Sequence, residues 1–414
     1  MSERTDPTMI TFGDIEKAAD VIAGEVIRTP MHAAPRLSAL TGAEVFVKYE
    51  NMQATGSFKE RGACNRMRQL TQGEIKRGVI AMSAGNHAQA VAWHAQKLGV
   101  TATIVMPEAT PHVKVENTRS LGASVILEGA TLAESQITVE RLIAERGLVL
   151  IHPYDDDHVI AGQGTAGIEM LTDRPDLDIL VVPVGGGGLI SGIAVAARAM
   201  RPATTVIGAE AALYPSFWNA LKSDTMPIGG PTLAEGIAVK NVGKRTLPIV
   251  REHVGEIVLV DESHLERAVS AYATLQRTMA EGAGAAGLAA MLAQPELFRG
   301  KRVGLILCGG NIDARILASI MLRELEREER IVSFRMTTLD QPGLLGRIAT
   351  RLGELGANIL EVSHQRLLLD VPAKGVSVDV TVETRGRQHT RDVLEALTQD
   401  GFSPVRMQLS GDGV

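Results

Sequence analysis

The sequence predicts an α/β protein with open, twisted, mostly parallel sheets, followed by a separate small βαββαβ domain. Three observations carry this. Short β-rich runs alternate with helical runs over most of the chain. Composition is 45% apolar but only 3% aromatic, with 42 glycines, as helices packed on buried parallel strands require. The rhythm changes after the charge run Arg323–Arg330, which reads as a solvated helix end or linker.

The predicted strands are Glu44–Lys48, Val79–Met82, Ala102–Met106, Ser124–Leu127, Val149–His152, Leu180–Pro183, Thr205–Glu210, Glu256–Val260 and Arg302–Cys308. Helical patterns lie between them, as in Ala88–Leu98, Leu132–Glu145 and Glu262–Ala280. Asp155, Asp156, Asp157 and His158 read as a loop capping a helix that starts near Val159, rather than as a metal site. Beyond the charge run, Ile331–Thr337, Asn358–Gln365, Gly375–Thr384 and Ser403–Leu409 read as strands, with helices Pro342–Leu355 and Thr390–Gln399. That order is ferredoxin-like. The expected bodies are residues 1–325, with a large lobe of about 1–52 and 153–325 and a small lobe of about 53–152, and residues 331–414.

Composition excludes several classes. A net charge of −6 gives no basic footprint for nucleic acid. Met1–Ile10 has no apolar core and predicts no signal peptide. The apolar stretch Ile179–Met200 is interrupted by Pro183 and four glycines, so it reads as strand–turn–helix and no membrane contact is expected. Two cysteines, Cys64 and Cys308, suit a reducing cytoplasm. No HExxH or CxxC appears, and no metal is predicted.

Parallel sheets bind ligands at loops after the carboxyl ends of strands. Four such loops carry candidate chemistry. In Thr55-Gly56-Ser57-Phe58-Lys59-Glu60-Arg61-Gly62-Ala63, Ser57 is a plausible N-cap, which puts Lys59 in a first helical turn where a cation is disfavoured. Burial there would lower its pKa and suit Schiff-base chemistry; a surface lysine is the alternative. Ser83-Ala84-Gly85-Asn86-His87 follows a strand and opens a helix, which makes an anion site or merely a capped turn. Gly185-Gly186-Gly187-Gly188-Leu189 repeats that arrangement with four glycines, which aim backbone N–H groups at a phosphate. Cys308-Gly309-Gly310-Asn311 ends a strand, where Cys308 either faces the cleft or is an inert buried thiol. Gly282-Ala283-Gly284-Ala285-Ala286-Gly287 fits a dinucleotide fingerprint but follows a helix, so close helix packing explains it better.

Together these motifs resemble the fold-type II pyridoxal-phosphate enzymes, above all the threonine dehydratases (threonine ammonia-lyases), over about Phe12 to Glu326. Glu50, Gln53, Gly56–Lys59 and Arg61–Ala63 are the most specific part. The resemblance implies a two-lobed, tryptophan synthase β-like fold and pyridoxal 5′-phosphate as cofactor. It implies that Lys59 anchors the cofactor and acts as catalytic base. Ser57 and Phe58 flank the cofactor, and Asn86 bonds its 3′-oxygen. Gly185, Gly186, Gly187, Gly188 and Leu189 cradle its phosphate, and Cys308 faces the pyridine nitrogen. Ser57, Ser83, Ala84, Gly85, Asn86 and His87 bind the substrate, the loop from Ser83 to His87 clamping its carboxylate. The implied reaction converts L-threonine, and L-serine as a second substrate, to a 2-oxo acid and ammonia. A serine racemase or β-replacing enzyme is the alternative, and an amino-acid sensor with an inactive lyase body is the non-enzymatic one. Ala84 stands where the similar racemases carry a second serine base. Ser216 stands where their metal site has an acidic partner to the residue matching Glu210.

The tail resembles an ACT regulatory domain through Asp340-Gln341-Pro342-Gly343-Leu344-Leu345 and Gly356-Ala357-Asn358-Ile359. It implies an effector site, for a branched-chain amino acid, at Asp340, Gly343, Leu344, Leu345, Asn358 and Ile359. A homodimer or homotetramer is expected.

Overall fold

Apolar strand runs pair into two largely parallel sheets, as the sequence rhythm requires. The computed structural model describes residues 9–366 and 374–407. One sheet has six strands in the order Met31–Ala33, Glu44–Tyr49, Arg302–Leu307, Ile179–Pro183, Thr205–Ala211 and Glu256–Val260. Only the edge strand Met31–Ala33 is antiparallel to its neighbour. The other sheet has four parallel strands in the order Ser124–Leu127, Ala102–Met106, Val79–Met82 and Val149–Leu150. Central strands such as Ile179–Pro183 are buried along their whole length, which explains their unbroken apolar runs. The stretch resembling a membrane span is this strand, a turn and the helix Gly188–Met200. No helix among the described residues is long and apolar enough to cross a membrane.

Three helix details stand out. The predicted helix Glu262–Ala280 is α-helical only over Glu262–Ala271, continues as one π-helical stretch, Tyr272–Gln276, and stops at Arg277 with φ +57°. The acidic loop does cap a helix. Asp156 accepts from Val159 N at 2.9 Å, and the helix runs Asp157–Asp173. The glycine pattern at Gly282 lies inside the helix Gly282–Ala293, with Gly284 packed on the Gly309 backbone.

The chain divides into two compact units at Ile312/Asp313. The helix Ala314–Arg327, which the sequence pattern places with the first body, groups with the second. In that unit the strands Asn358–Gln365, Gly375–Glu383, Ile331–Leu339 and Pro404–Met407 form an antiparallel sheet in that order. With helices Leu344–Glu354 and Arg387–Gln399, this is the βαββαβ order read from the sequence. Of the last predicted strand, Gln408 and Leu409 lie outside the described residues, as do Met1–Thr8 of the N-terminal segment.

Candidate active site

The loop ahead of Lys59 is held against the end of strand Arg302–Leu307. Phe58 N donates to Cys308 O at 3.0 Å, Gly310 N donates to Gly56 O at 3.0 Å, and Ser57 bridges Gly309. Lys59 is the first residue of the helix Lys59–Arg68, with its Nζ 2.9 Å from Pro153 O and 5.1 Å from the Phe58 ring centre. Burial brings its pKa down to about 8, although Cys308 and Glu281 pull the other way. Ser57 does not cap this helix. Phe58 is the cap residue, and Ser57 Oγ is buried with no hydrogen-bond partner.

Beneath Lys59 lies a buried ion cluster. Arg61, fully enclosed, donates through Nε and Nη2 to Glu50 at 2.8 Å each, and to Glu169 at 2.7 and 2.8 Å. Lys48 Nζ reaches Glu169 at 2.5 Å, and Thr29 Oγ1 donates to Glu50 at 2.5 Å. Burial pushes the Glu50 carboxyl up, but Arg61 beside it holds the net value below the ordinary range. This cluster explains why Glu50 and Arg61 accompany the lysine motif. They fix the helix that starts with Lys59.

Ser83–His87 joins strand Val79–Met82 to the helix Asn86–Leu98, with Gly85 as the cap residue. A Cβ on Gly85 would meet nothing within 4 Å, so this turn borders open space. Asn86 Nδ2 donates to Glu281 Oε1 at 2.7 Å, and its Oδ1 accepts from Asn311 Nδ2 at 2.5 Å. His87 is buried, and its Nε2 lies 2.8 Å from Ile151 O. Burial, reinforced by nearby Lys59, depresses its pKa to about 3, so the ring is neutral.

The four glycines form the turn between strand Ile179–Pro183 and helix Gly188–Met200. Gly187 sits at φ +91°, and a Cβ there would lie 2.5 Å from Phe217 and 2.7 Å from Thr246 Oγ1. The Tyr154 ring packs on Gly186, and Thr246 Oγ1 donates to Gly186 O at 2.8 Å. The first helical bond runs from Ser191 N to Gly187 O at 3.0 Å. The amides of Gly188, Leu189 and Ile190 therefore have no intrahelical acceptor. Cys308 is buried with Sγ 3.7 Å from Ala283 O, and burial pushes its thiol well up, so it is neutral.

Glu281 does not stand out in the sequence, because an acid before a helix looks like an ordinary cap. Its carboxyl is pushed up to about 7 by burial, against the Asn86 hydrogen bond. Thr246 and Tyr154 likewise carry no sequence signal of a role, and Asn311 lies in the Cys308–Asn311 motif without a role of its own being legible there. Glu210 caps the short helix Ser216–Lys222: its two oxygens accept from Phe217 N at 2.7 Å and Trp218 N at 2.9 Å. Ser216 Oγ donates to Val239 O at 2.6 Å, with Lys240 O 3.1 Å away.

These parts fit a phosphorylated aldehyde. An amine of lowered pKa can form a Schiff base, free amides at a glycine turn suit a phosphate, and Ser57 Oγ and Thr55 Oγ1 are buried without protein partners. A family model described as pyridoxal-phosphate dependent enzyme matches residues 22–309. The chain belongs to that family. The chain is 42% identical over 396 residues to an L-threonine ammonia-lyase of Thermotoga maritima, covering 95% of this chain and 98% of that protein. A crystal structure of threonine deaminase from T.th. superposes with TM-score 0.69 at 38% identity, covering 73% of this chain and 99% of the other. Maize serine racemase gives TM-score 0.72 at 33% identity, covering 78% and 100%.

Proposed function

We propose that this chain is a threonine ammonia-lyase, converting L-threonine to 2-oxobutanoate and ammonia, with L-serine to pyruvate as a second reaction. The observation that carries the reading is Lys59: a half-buried amine with pKa about 8, set at a helix start by the Arg61 cluster. Its similarity to a named L-threonine ammonia-lyase along 95% of the chain supports the same substrate.

Lys59 would hold pyridoxal phosphate covalently, with Phe58, Asn86, Cys308 and the amides of Gly185–Leu189 around it. The cofactor supplies an electron sink for a carbanion at the substrate Cα. The Ser83–Gly85 turn and the start of helix Asn86–Leu98 bind the substrate carboxylate through backbone N–H groups. Displaced from the cofactor by the substrate amine, the freed Lys59 Nζ would remove the Cα proton as general base. The resulting ammonium would return that proton to the β-hydroxyl, which leaves as water; Lys59 then takes its place back and releases an enamine, which water hydrolyses to the 2-oxo acid and ammonia. Ala84 offers only a methyl group where the similar racemases carry a serine base, which favours elimination over racemisation. Cys308, buried and neutral, would offer the cofactor no charged partner, which would favour prompt loss of the β-group. The experiment is product analysis: L-threonine yields 2-oxobutanoate with ammonia, and L-serine yields pyruvate faster than D-serine. D-serine as the main product would replace this reading by the racemase.

For residues 331–414 we propose an ACT-type regulatory domain in a homodimer or homotetramer. Asp340 and Gly343 precede the helix Leu344–Glu354, Leu345 is partly exposed, and Asn358 and Ile359 open the next strand. Leu344 is in the core, so it contributes backbone alone to an effector. Isoleucine or valine is the proposed effector. Titrating either should change the rate or the oligomer mass. Two free buried cysteines suit a cytoplasmic site of action.

A further inference from the structure

Three segments meet at Asn86. Asn86 begins a helix on the four-stranded sheet, whereas Glu281 precedes helix Gly282–Ala293 and Asn311 follows strand Arg302–Leu307 of the six-stranded sheet. Asn311 Nδ2 donates to Thr55 O at 3.0 Å. A backbone carbonyl only accepts, so that contact identifies the nitrogen end of Asn311. The same nitrogen lies 2.5 Å from the Asn86 amide, which must therefore present its oxygen there. The Asn86 nitrogen then faces Glu281 Oε1 at 2.7 Å. One of its two hydrogens is used by Glu281, and the second has its direction set by the planar amide.

The backbone makes room for this chain of contacts. Any Cβ on Gly309 would overlap the Glu281 carboxyl, and Glu281 N donates to Gly309 O at 3.1 Å. A Cβ on Gly56 would lie 2.8 Å from Asn311 Oδ1. Both glycines belong to the loops that hold Lys59.

We propose that Glu281 and Asn311 clamp the Asn86 amide across the two sheets in one orientation. Glu281 is thereby a positioning residue for the cofactor contact of Asn86. The clamp rests on the proposed role of Asn86 in holding pyridoxal phosphate. It needs an acceptor at Glu281, which a carboxylate, a neutral carboxyl and a glutamine all provide.

The test uses the holoenzyme and two variants, Glu281→Gln and Glu281→Ala, with and without Asn86→Ala. The readouts are the cofactor dissociation constant, by equilibrium dialysis, and the visible absorption spectrum of the bound cofactor. Glu281→Gln should keep the wild-type spectrum and an affinity within about threefold. Glu281→Ala should shift the spectrum and weaken cofactor binding by about tenfold or more. In the Asn86→Ala background, Glu281→Ala should add little, because the group it positions is gone. Wild-type affinity and spectrum in Glu281→Ala, or full additivity with Asn86→Ala, would overturn the proposal. If the wild-type protein itself binds no cofactor, the functional reading has failed rather than the clamp.

Discussion

Removing the Arg61 guanidinium isolates a charge in the interior. In Arg61→Met, Glu50, which is fully buried, would keep only Thr29 Oγ1 at 2.5 Å and Gln53 Nε2 at 3.2 Å. Lys48 stays on Glu169 and cannot replace both arms of the arginine. Taking one partner from a buried pair costs about 3–5 kcal/mol. For a body of this size that is a melting temperature lowered by roughly 5–8 °C. The pH dependence has a definite sign. Paired with Arg61, the Glu50 carboxyl is held below its ordinary value, so its contribution is present at neutral pH and lost in acid. Without Arg61 the main lowering influence is gone, and burial, opposed only by Thr29 and Lys48, raises the value. The folded variant then binds a proton that the unfolded chain does not hold at neutral pH, so its deficit shrinks as pH falls from about 7 to about 5. Tryptophan fluorescence is the suitable assay, because Trp93 and Trp218 both lie in the unit ending at Ile312. A variant that melts within about 2 °C of wild type, or whose deficit is the same at both pH values, refutes the reasoning.

Further outcomes follow from the same geometry. Recombination of the apoprotein with pyridoxal phosphate should speed up with pH and reach half its maximum near pH 8, the lowered pKa of Lys59, as measured by the growth of visible absorption. A midpoint near the ordinary lysine value would show that burial does not act on Lys59. Gly187→Ala places a Cβ at φ +91° against Phe217 and Thr246, and should lower stability by about 1–3 kcal/mol and weaken cofactor retention on gel filtration. Since Glu210 gives both oxygens to backbone amides and Ser216 donates to the Val239 carbonyl, EDTA should leave the deamination rate unchanged.

Much of this molecule is legible in the sequence, for physical reasons. Buried parallel strands such as Ile179–Pro183 write themselves as unbroken apolar runs, and the tetraglycine turn has few structural uses other than close backbone approach. Lys59 stands out because a cation is misplaced at a helix start. Glu281 and Asn311 are hidden because their partner, Asn86, is distant in sequence, and a lone acid or amide at a helix or strand end is commonplace. The π-helical stretch Tyr272–Gln276 leaves no mark on periodicity, so the pattern predicts a helix running on to Ala280. Ser57 has the right type for an N-cap, but its backbone is tied to Gly309 as a bridge, which moves the cap to Phe58. The helix Ala314–Arg327 looks continuous with the preceding α/β rhythm, and only its packing assigns it to the second unit.

The central claim is that Lys59 performs the deamination of threonine. Its most direct test is the rate of 2-oxobutanoate formation from L-threonine by the cofactor-loaded wild type and Lys59→Ala, side by side. The account predicts steady production by the wild type and a loss of about a thousandfold or more in the variant, because Lys59 both holds the cofactor and moves the proton. Undiminished production by Lys59→Ala would contradict it.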